Sequence, residues 1–346
     1  MLKAKYIFRN LIFNFQGGTS RGVLTQKPSF YLFVWHDENP DIIGTGEISL
    51  IPKLSPETTE QAELLLQEFI ENPEYFIKNR NLSNSPAVKF GIETALTDLN
   101  KGGEKILYPS DFTNGKKGIK INGLIWMGDK QLMLNRIKEK VSQGFTCIKL
   151  KIGAINFNDE IDLLKYIRKT FSPDDVEIRV DANGAFTPET ALLKLNTLSK
   201  LNIHSIEQPI KQGQWKHMEY ICRNTPLPVA LDEELIGISD TKQRIELLKT
   251  IKPQYIILKP SLTGGLQDTK EWSNLAEQNN IGWWVTSALE SNIGLNAIAQ
   301  WTFINGSDMP QGLGTGQVFK NNINSPLKIK GEELWFNNTS KWENIT

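Results

Sequence analysis

Five apolar segments that each carry a charge at or near their end decide the fold: Cys147-Ile-Lys-Leu-Lys-Ile152, Val176-Glu-Ile-Arg-Val-Asp181, Ile203-His-Ser-Ile-Glu207, Val229-Ala-Leu-Asp232 and Tyr255-Ile-Ile-Leu-Lys259. The charges Lys151, Asp181, Glu207, Asp232 and Lys259 recur every 25 to 30 residues. That interval accommodates one strand, one helix and two loops, the unit of a parallel βα repeat. Five successive units in matching register place five charges at one end of a sheet or barrel. In a (β/α)8 barrel that end carries the active site. Asp181, Glu207 and Asp232 are then hard oxygen donors from three neighbouring strands. Three converging carboxylates repel one another and are costly to bury without a cation. An all-oxygen donor set suits Mg2+, with Mn2+ possible, better than Zn2+. Lys151 and Lys259 flank the trio and would face each other across a closed barrel.

Outward from this stretch, 346 residues suffice for a barrel of about 200 to 250 residues and a smaller domain. Lys+Arg and Asp+Glu balance at 39 each, so the chain offers nothing to a polyanion and no nucleic-acid partner is expected. Cys147 and Cys222 make no disulfide framework. Charges interrupt every apolar run at the amino end, and no stretch could span a membrane. The expectation is a cytoplasmic enzyme with no membrane partner; nothing in the sequence fixes its oligomeric state. Residues 3–15 and 29–37 read as paired strands with a hairpin loop at Gly17–Gly22 between them, and a third strand starts at Gly44. Two helices follow, each introduced by a serine N-cap and a proline at the first helical position, Ser55-Pro56 and Ser85-Pro86. This α+β module, residues 1–115, precedes the barrel at 116–320. Barrel helices are expected over 130–143, 158–171, 239–248, 269–278 and 293–303, strand seven at 282–286, and strand eight at Pro310-Gln-Gly-Leu-Gly314.

The ordered set Lys149-Leu-Lys151, Asp181-Ala-Asn183, Ile206-Glu-Gln-Pro209, Leu231-Asp-Glu233 and Leu258-Lys-Pro260 resembles the enolase superfamily. The likeness covers nearly the whole chain and is to the branch with a lysine on each face of the substrate. It implies that residues 1–115 form a capping domain and that the tail, 321–346, packs on it. It also implies a lid at Gly17–Gly22, from which Arg21 would meet an anionic substrate. The substrate would be a small carboxylate, with Lys151 the general base that takes the α-proton. Lys149, on the same strand face as Lys151, would supply adjacent positive charge. Lys259 would be a second acid/base or a cation that stabilises the intermediate. Asn183 and Glu233 would support the metal ligands, with Glu234 a weaker candidate. Gln208 reads equally as such support and as a residue ordering the loop before Pro209. Later strand ends offer hydroxyls and free backbone N–H groups for a substrate carboxylate: Ser261, Gly264, Ser287, Ser291, Gly312 and Gly314. His204 reads as structural.

Three activities compete. One is metal-dependent dehydration of a hydroxycyclohexadiene carboxylate, with Lys151 taking the α-proton and returning it to the departing hydroxyl. The apolar strand with Trp283 and Trp284 suits such a substrate. Another is racemisation or epimerisation of N-acyl amino acids or dipeptides, with Lys151 and Lys259 exchanging protons. Dipeptide epimerases carry an Asp-x-Asp after strand eight, where this chain reads Gly312-Leu-Gly-Thr-Gly316. The third is a ligand-binding barrel without catalysis, disfavoured because all five charges are present.

Overall fold

The structure is a computed structural model and describes residues 1–19 and 22–345. It opens with an antiparallel sheet of β1 (Leu2–Thr19), β2 (Gly22–His36) and β3 (Asn39–Ser49) in sequential order. Aromatic and β-branched residues alternate along β2, so Phe30, Leu32 and Val34 turn to one buried face. That face receives α1 (Thr59–Glu71), α2 (Pro73–Asn79) and α3 (Pro86–Asn100). Their Leu66, Phe69, Phe76, Val88 and Ala95 complete a core distinct from that of the rest of the chain.

Two helix starts differ from the sequence expectation, and a third helix was not foreseen. Ser55-Pro56 does not begin α1. Thr58 and Gln61 form a capping box there, and reciprocal bonding outcompetes a single serine; the Ser55 hydroxyl instead accepts from the Ile51 N–H at 2.8 Å. Pro86 does open α3, but Ser85 makes no side-chain cap bond. Glu57 does that work, accepting from the N–H groups of Ala87 (2.7 Å) and Val88 (3.2 Å). The unforeseen α2 is capped by Asn72, which accepts from Tyr75 N–H at 3.1 Å.

The join between α3 and β3 is made of bare backbone. A Cβ at Gly44 would lie 2.1 Å from the Ala95 carbonyl oxygen, and one at Gly46 would lie 2.0 Å from that of Gly91. Any side chain at either place would force the helix off the sheet.

After β4 (Ile119–Lys120) the chain enters the barrel with β5 (Gly123–Ile125), α4 (Lys130–Ser142), β6 (Cys147–Lys151), α5 (Phe157–Thr170), β7 (Glu177–Asp181), α6 (Pro188–Ser199) and β8 (Ser205–Glu207). It continues with α7 (Trp215–Asn224), β9 (Val229–Leu231), α8 (Thr241–Ile251), β10 (Tyr255–Leu258), α9 (Pro260–Thr263), α10 (Gly265–Gln278), β11 (Gly282–Val285) and α11 (Asn292–Asn305). Strands β5 to β11 form one parallel sheet in sequence order. They are buried on both faces, as helix-covered parallel strands must be. The eighth strand is reduced to two residues. Gln311 bridges Ile121 and Gly312 bridges Thr286, both parallel, so this short rung closes the sheet into a barrel.

The tail divides. Residues β12 (Leu327–Lys330) and β13 (Glu333–Phe336) form a hairpin that pairs with β4 at the barrel's base, not with the amino-terminal sheet. Farther on, Trp342 and Ile345 pack beside Tyr31, Phe33 and Ile293, on the other face of that sheet. Residues 318–320 also run along the free edge of β1, with Asn14 N–H bonded to Val318 O (2.8 Å) and Lys320 N–H to Ile12 O (2.8 Å).

Two outcomes are expected. Gly46→Ala should cost about 1–3 kcal/mol through overpacking at a rigid contact, read as a lower urea midpoint with unchanged slope. Burial pushes the Glu57 carboxyl up to about 7 from its ordinary 4.5, against the pull of the N–H groups it caps. The folded state therefore holds this proton more tightly than the unfolded one. The stability it contributes is complete below pH 4.5 and is lost as pH rises through 7. Glu57→Gln, which keeps an acceptor for α3, should flatten the stability–pH curve in that window.

Candidate active site

The parallel register assembles the charges. Lys151 lies opposite Asp181 on the adjacent strand, and Asp181 lies opposite Glu207. Glu207 pairs with Ala230, so Asp232, two residues on, takes the same face. The backbone turns sharply as it leaves these strands. Asn183 and Gln208 adopt left-handed φ values of +43° and +38°, a conformation uncommon outside glycine that Asn tolerates best.

The side chains meet in a dense ionic lattice. Lys149 Nζ contacts both Asp181 Oδ2 (3.1 Å) and Glu207 Oε2. Lys151 Nζ donates to Asp181 Oδ2 (2.9 Å) and Asn183 Oδ1 (2.7 Å). Lys259 Nζ bonds Asp232 Oδ2. Asn183 ties the group to the end of β9, two strands along the sheet, accepting from Lys151 and donating from Nδ2 to Glu233 Oε1 at 3.1 Å. Burial alone would push the Asp181 carboxyl up, but Lys149, Lys151 and Lys259 together outweigh it and hold it well below the usual range. Burial and then the Asp181 charge push Glu207 well above its usual range, with Lys149 opposing. Burial also disfavours the Lys259 ammonium, yet Asp232, Glu207, Glu233 and Asp181 outweigh that and raise it.

Among the described residues no three acidic, histidine or cysteine side chains converge closely enough to enclose a cation in this arrangement, and the Lys149 and Lys259 ammonium groups lie on the carboxylates. The donor set nonetheless fits a hard divalent cation. It is all oxygen, three neighbouring strands contribute to it, and the buried Glu207 Oε1 has no hydrogen-bond partner.

A cavity of about 370 Å³ opens above the lattice, between barrel and amino-terminal sheet. Lys149, Lys151, Lys259, Asp181, Asn183 and Glu233 line it, as do Ser287, Gly312 and Gly314. Three other residues expected to touch substrate do not line it. Ser261 is fully buried and donates to Glu290. Ser291 caps α11 and donates to Glu47 at 2.6 Å. Gly264 sits at the α9–α10 junction with φ +111°, where a Cβ would overlap the Asp268 carboxylate. Arg21 lies outside the described residues.

Several wall residues escaped the sequence reading. Asn122, Leu124 and Trp126 line the cavity at strand spacing, an alternation that β5 displays in the sequence itself. The buried Asn122 Oδ1 and Thr286 Oγ1, both on this wall, have no hydrogen-bond partner. Leu24, Leu54 and Leu289 form an apolar roof. Behind it Glu290 accepts from Ser287 (2.6 Å), while Lys27, reaching from β2, donates to Leu289 O (2.9 Å). Burial pushes the Lys27 ammonium down and the Glu290 carboxyl up.

Gln208 proves to be a positioning residue. Its Oε1 accepts from the N–H groups of Asp232 (3.2 Å) and Glu234 (3.3 Å), and its Nε2 donates to Glu234 Oε2 (2.9 Å) and Ile210 O (2.9 Å). Its carboxamide thus links the loop after β8 to the backbone that carries Asp232.

Residues 132–332 match the family model described as enolase C-terminal domain-like. The chain belongs to the enolase superfamily. It is one of that superfamily's enzymes, which use a divalent metal, usually Mg2+. It is 45% identical to an o-succinylbenzoate synthase of Desulfotalea psychrophila, over 95% of this chain and 98% of that protein. The crystal structure of MenC from the same organism superposes with a TM-score of 0.84 at 43% identity, covering 96% of this chain and 99% of that one. A hydrophobic dipeptide epimerase of Enterococcus faecalis is 27% identical over 75% of this chain and 72% of its own length. Among the described residues no helix is long and apolar enough to cross a membrane.

Outer residues that orient metal ligands are commonly worth 10–100-fold in metal affinity. Gln208→Leu is therefore expected to weaken Mg2+ binding by about that factor, measured by calorimetric titration, with the circular dichroism spectrum unchanged.

Proposed function

We propose that the chain dehydrates 2-succinyl-6-hydroxy-2,4-cyclohexadiene-1-carboxylate to 2-succinylbenzoate, the o-succinylbenzoate synthase step of menaquinone biosynthesis, in the cytoplasm. The observation that carries this reading is the near-full-length likeness to a relative of that name. The cavity agrees with it. Lys151, at the end of β6, and Lys259, after β10, both line it for a small carboxylate, and the roof is apolar enough for a cyclic diene. After the short eighth strand, Gly312 and Gly314 line the cavity where a dipeptide's ammonium would need acidic partners.

Asp181, Glu207 and Asp232 would hold the divalent cation, Mg2+ or Mn2+. When bound there it supplies Lewis-acid charge to the substrate carboxylate, offsetting the cost of a dianionic enediolate. The chain's own residues move the proton. Asn183 Oδ1 and Asp181 fix the Lys151 amine. In neutral form its lone pair takes the α-proton, and the C–H electron pair enters the enediolate. The same Nζ then returns that proton to the C6 hydroxyl on the same face. The C–O bond breaks, water leaves and the ring becomes aromatic. Lys259, pinned to Asp232, serves as a fixed cation beside the developing charge. Asn183 and Glu233 keep the lysine and carboxylate walls in register.

With Mg2+ present, the purified protein is expected to consume the cyclohexadiene substrate, followed by its ultraviolet loss. Lys151→Ala and EDTA should each abolish turnover, with the variant still folded. No turnover by folded, Mg2+-loaded protein would overturn the assignment. Because both lysines reach the cavity, α-deuterium exchange on N-acyl amino acids would then identify a racemase.

A further inference from the structure

We infer that Lys53 recognises the substrate's second carboxylate, the one remote from the reacting carbon; this rests on the dehydratase reading above. The charge balance of the cavity motivates it. Four lysines line the cavity, Lys53, Lys149, Lys151 and Lys259. The last three are each bonded to site carboxylates. Among the described residues Lys53 has no ion pair or side-chain hydrogen bond, and its side chain is exposed at the rim. A dianionic substrate places one carboxylate in the site lattice, and the other, at the end of its succinyl arm, lies toward the rim beside apolar roof residues, where an unmatched charge is costly.

The backbone holds Lys53 in place. Ile51 O accepts from the N–H groups of both Leu54 (3.0 Å) and Ser55 (2.9 Å), and Ile51 N–H donates to Ser55 Oγ (2.8 Å), closing the segment on itself. Ile51 anchors it in an apolar cluster with Leu262 and Ala288, two residues of the barrel's mouth. Lys53 itself has φ +66°, a left-handed conformation that a long side chain rarely adopts and that glycine takes without strain. A lysine held there against local preference, beside the cavity and without a partner, is placed to bind an anion.

The experiment compares wild type, Lys53→Ala, Lys53→Gly and Lys53→Arg, all loaded with Mg2+. Each is tested on the cyclohexadiene dicarboxylate and on an analogue whose succinyl carboxylate is a neutral amide. A charge-assisted contact at an exposed rim is worth about two- to fivefold. Lys53→Ala and Lys53→Gly are expected to raise KM for the dicarboxylate by about that factor with kcat nearly unchanged. Lys53→Arg should restore most of it. Against the amide analogue all four proteins should be alike. Lys53→Gly should unfold no earlier than wild type, because it relieves the backbone. Equal loss on both substrates, or no loss on either, overturns the inference. Calorimetric binding of 2-succinylbenzoate and its succinyl mono-amide to the same proteins gives the same comparison without turnover. If wild type turns over neither substrate yet Lys53 still discriminates the two ligands, the dehydratase reading fails and the recognition of a dicarboxylate stands.

Discussion

The structure turns on three carboxylates and three ammonium groups brought together at the ends of neighbouring strands, most of them buried. Each of these charges is expensive to bury alone, so none can be removed without stranding its partner. Asp181 shows the balance most directly, since it touches both Lys149 and Lys151. The barrel supplies what such an arrangement requires, namely parallel strands whose register is locked by burial on both faces. A slip of one residue would turn every charge into the hydrophobic layer.

Around this centre two of the supporting residues, Asn183 and Gln208, are neutral carboxamides. Asn183 and Gln208 stand in left-handed turns directly after Asp181 and Glu207, and their carboxamides spend every polar atom on fixing backbone or charge. The wall away from the lattice is built differently. Asn122 and Thr286 each keep a buried polar atom unpartnered, beside a glycine, Gly312, whose missing Cβ leaves room for the Thr286 side chain. One side of the cavity is thus organised for charge and the other for a neutral, shaped ligand.

The charged strand ends, the order of strands and the two-layer amino-terminal module were legible because each leaves a local signal: a period, a cap, a charge after an apolar run. What was not legible depended on distance. Ser261 and Ser291 carry the right hydroxyls at the right strand ends, yet Glu290 and Glu47, remote in sequence, claim them. Glu57 takes the capping role that Ser85 seemed to own because it reaches α3 from 30 residues away. The eighth strand is only a rung, since Gln311 and Gly312 need pair with Ile121 and Thr286 alone to close the circle. The third strand at Gly44 was legible, but only the packed helix explains why Gly44 and Gly46 carry no side chain.

The amino-terminal sheet is covered by residues from the far end of the sequence. Phe319 packs at a tilt against Phe13 with ring centroids 4.8 Å apart, Glu343 lies 3.8 Å from Arg9, and Trp342 joins Tyr31 and Phe33. During synthesis the first strands therefore emerge long before the segments that cover their edge and outer face. The barrel, drawn from the middle of the chain, can be complete while that sheet is still exposed. Covering that edge and outer face is thus left to later-emerging segments, and until then the sheet stands as a sticky, half-solvated surface. Chaperone dependence at that moment would follow from the order of the elements rather than from any weakness in the finished fold.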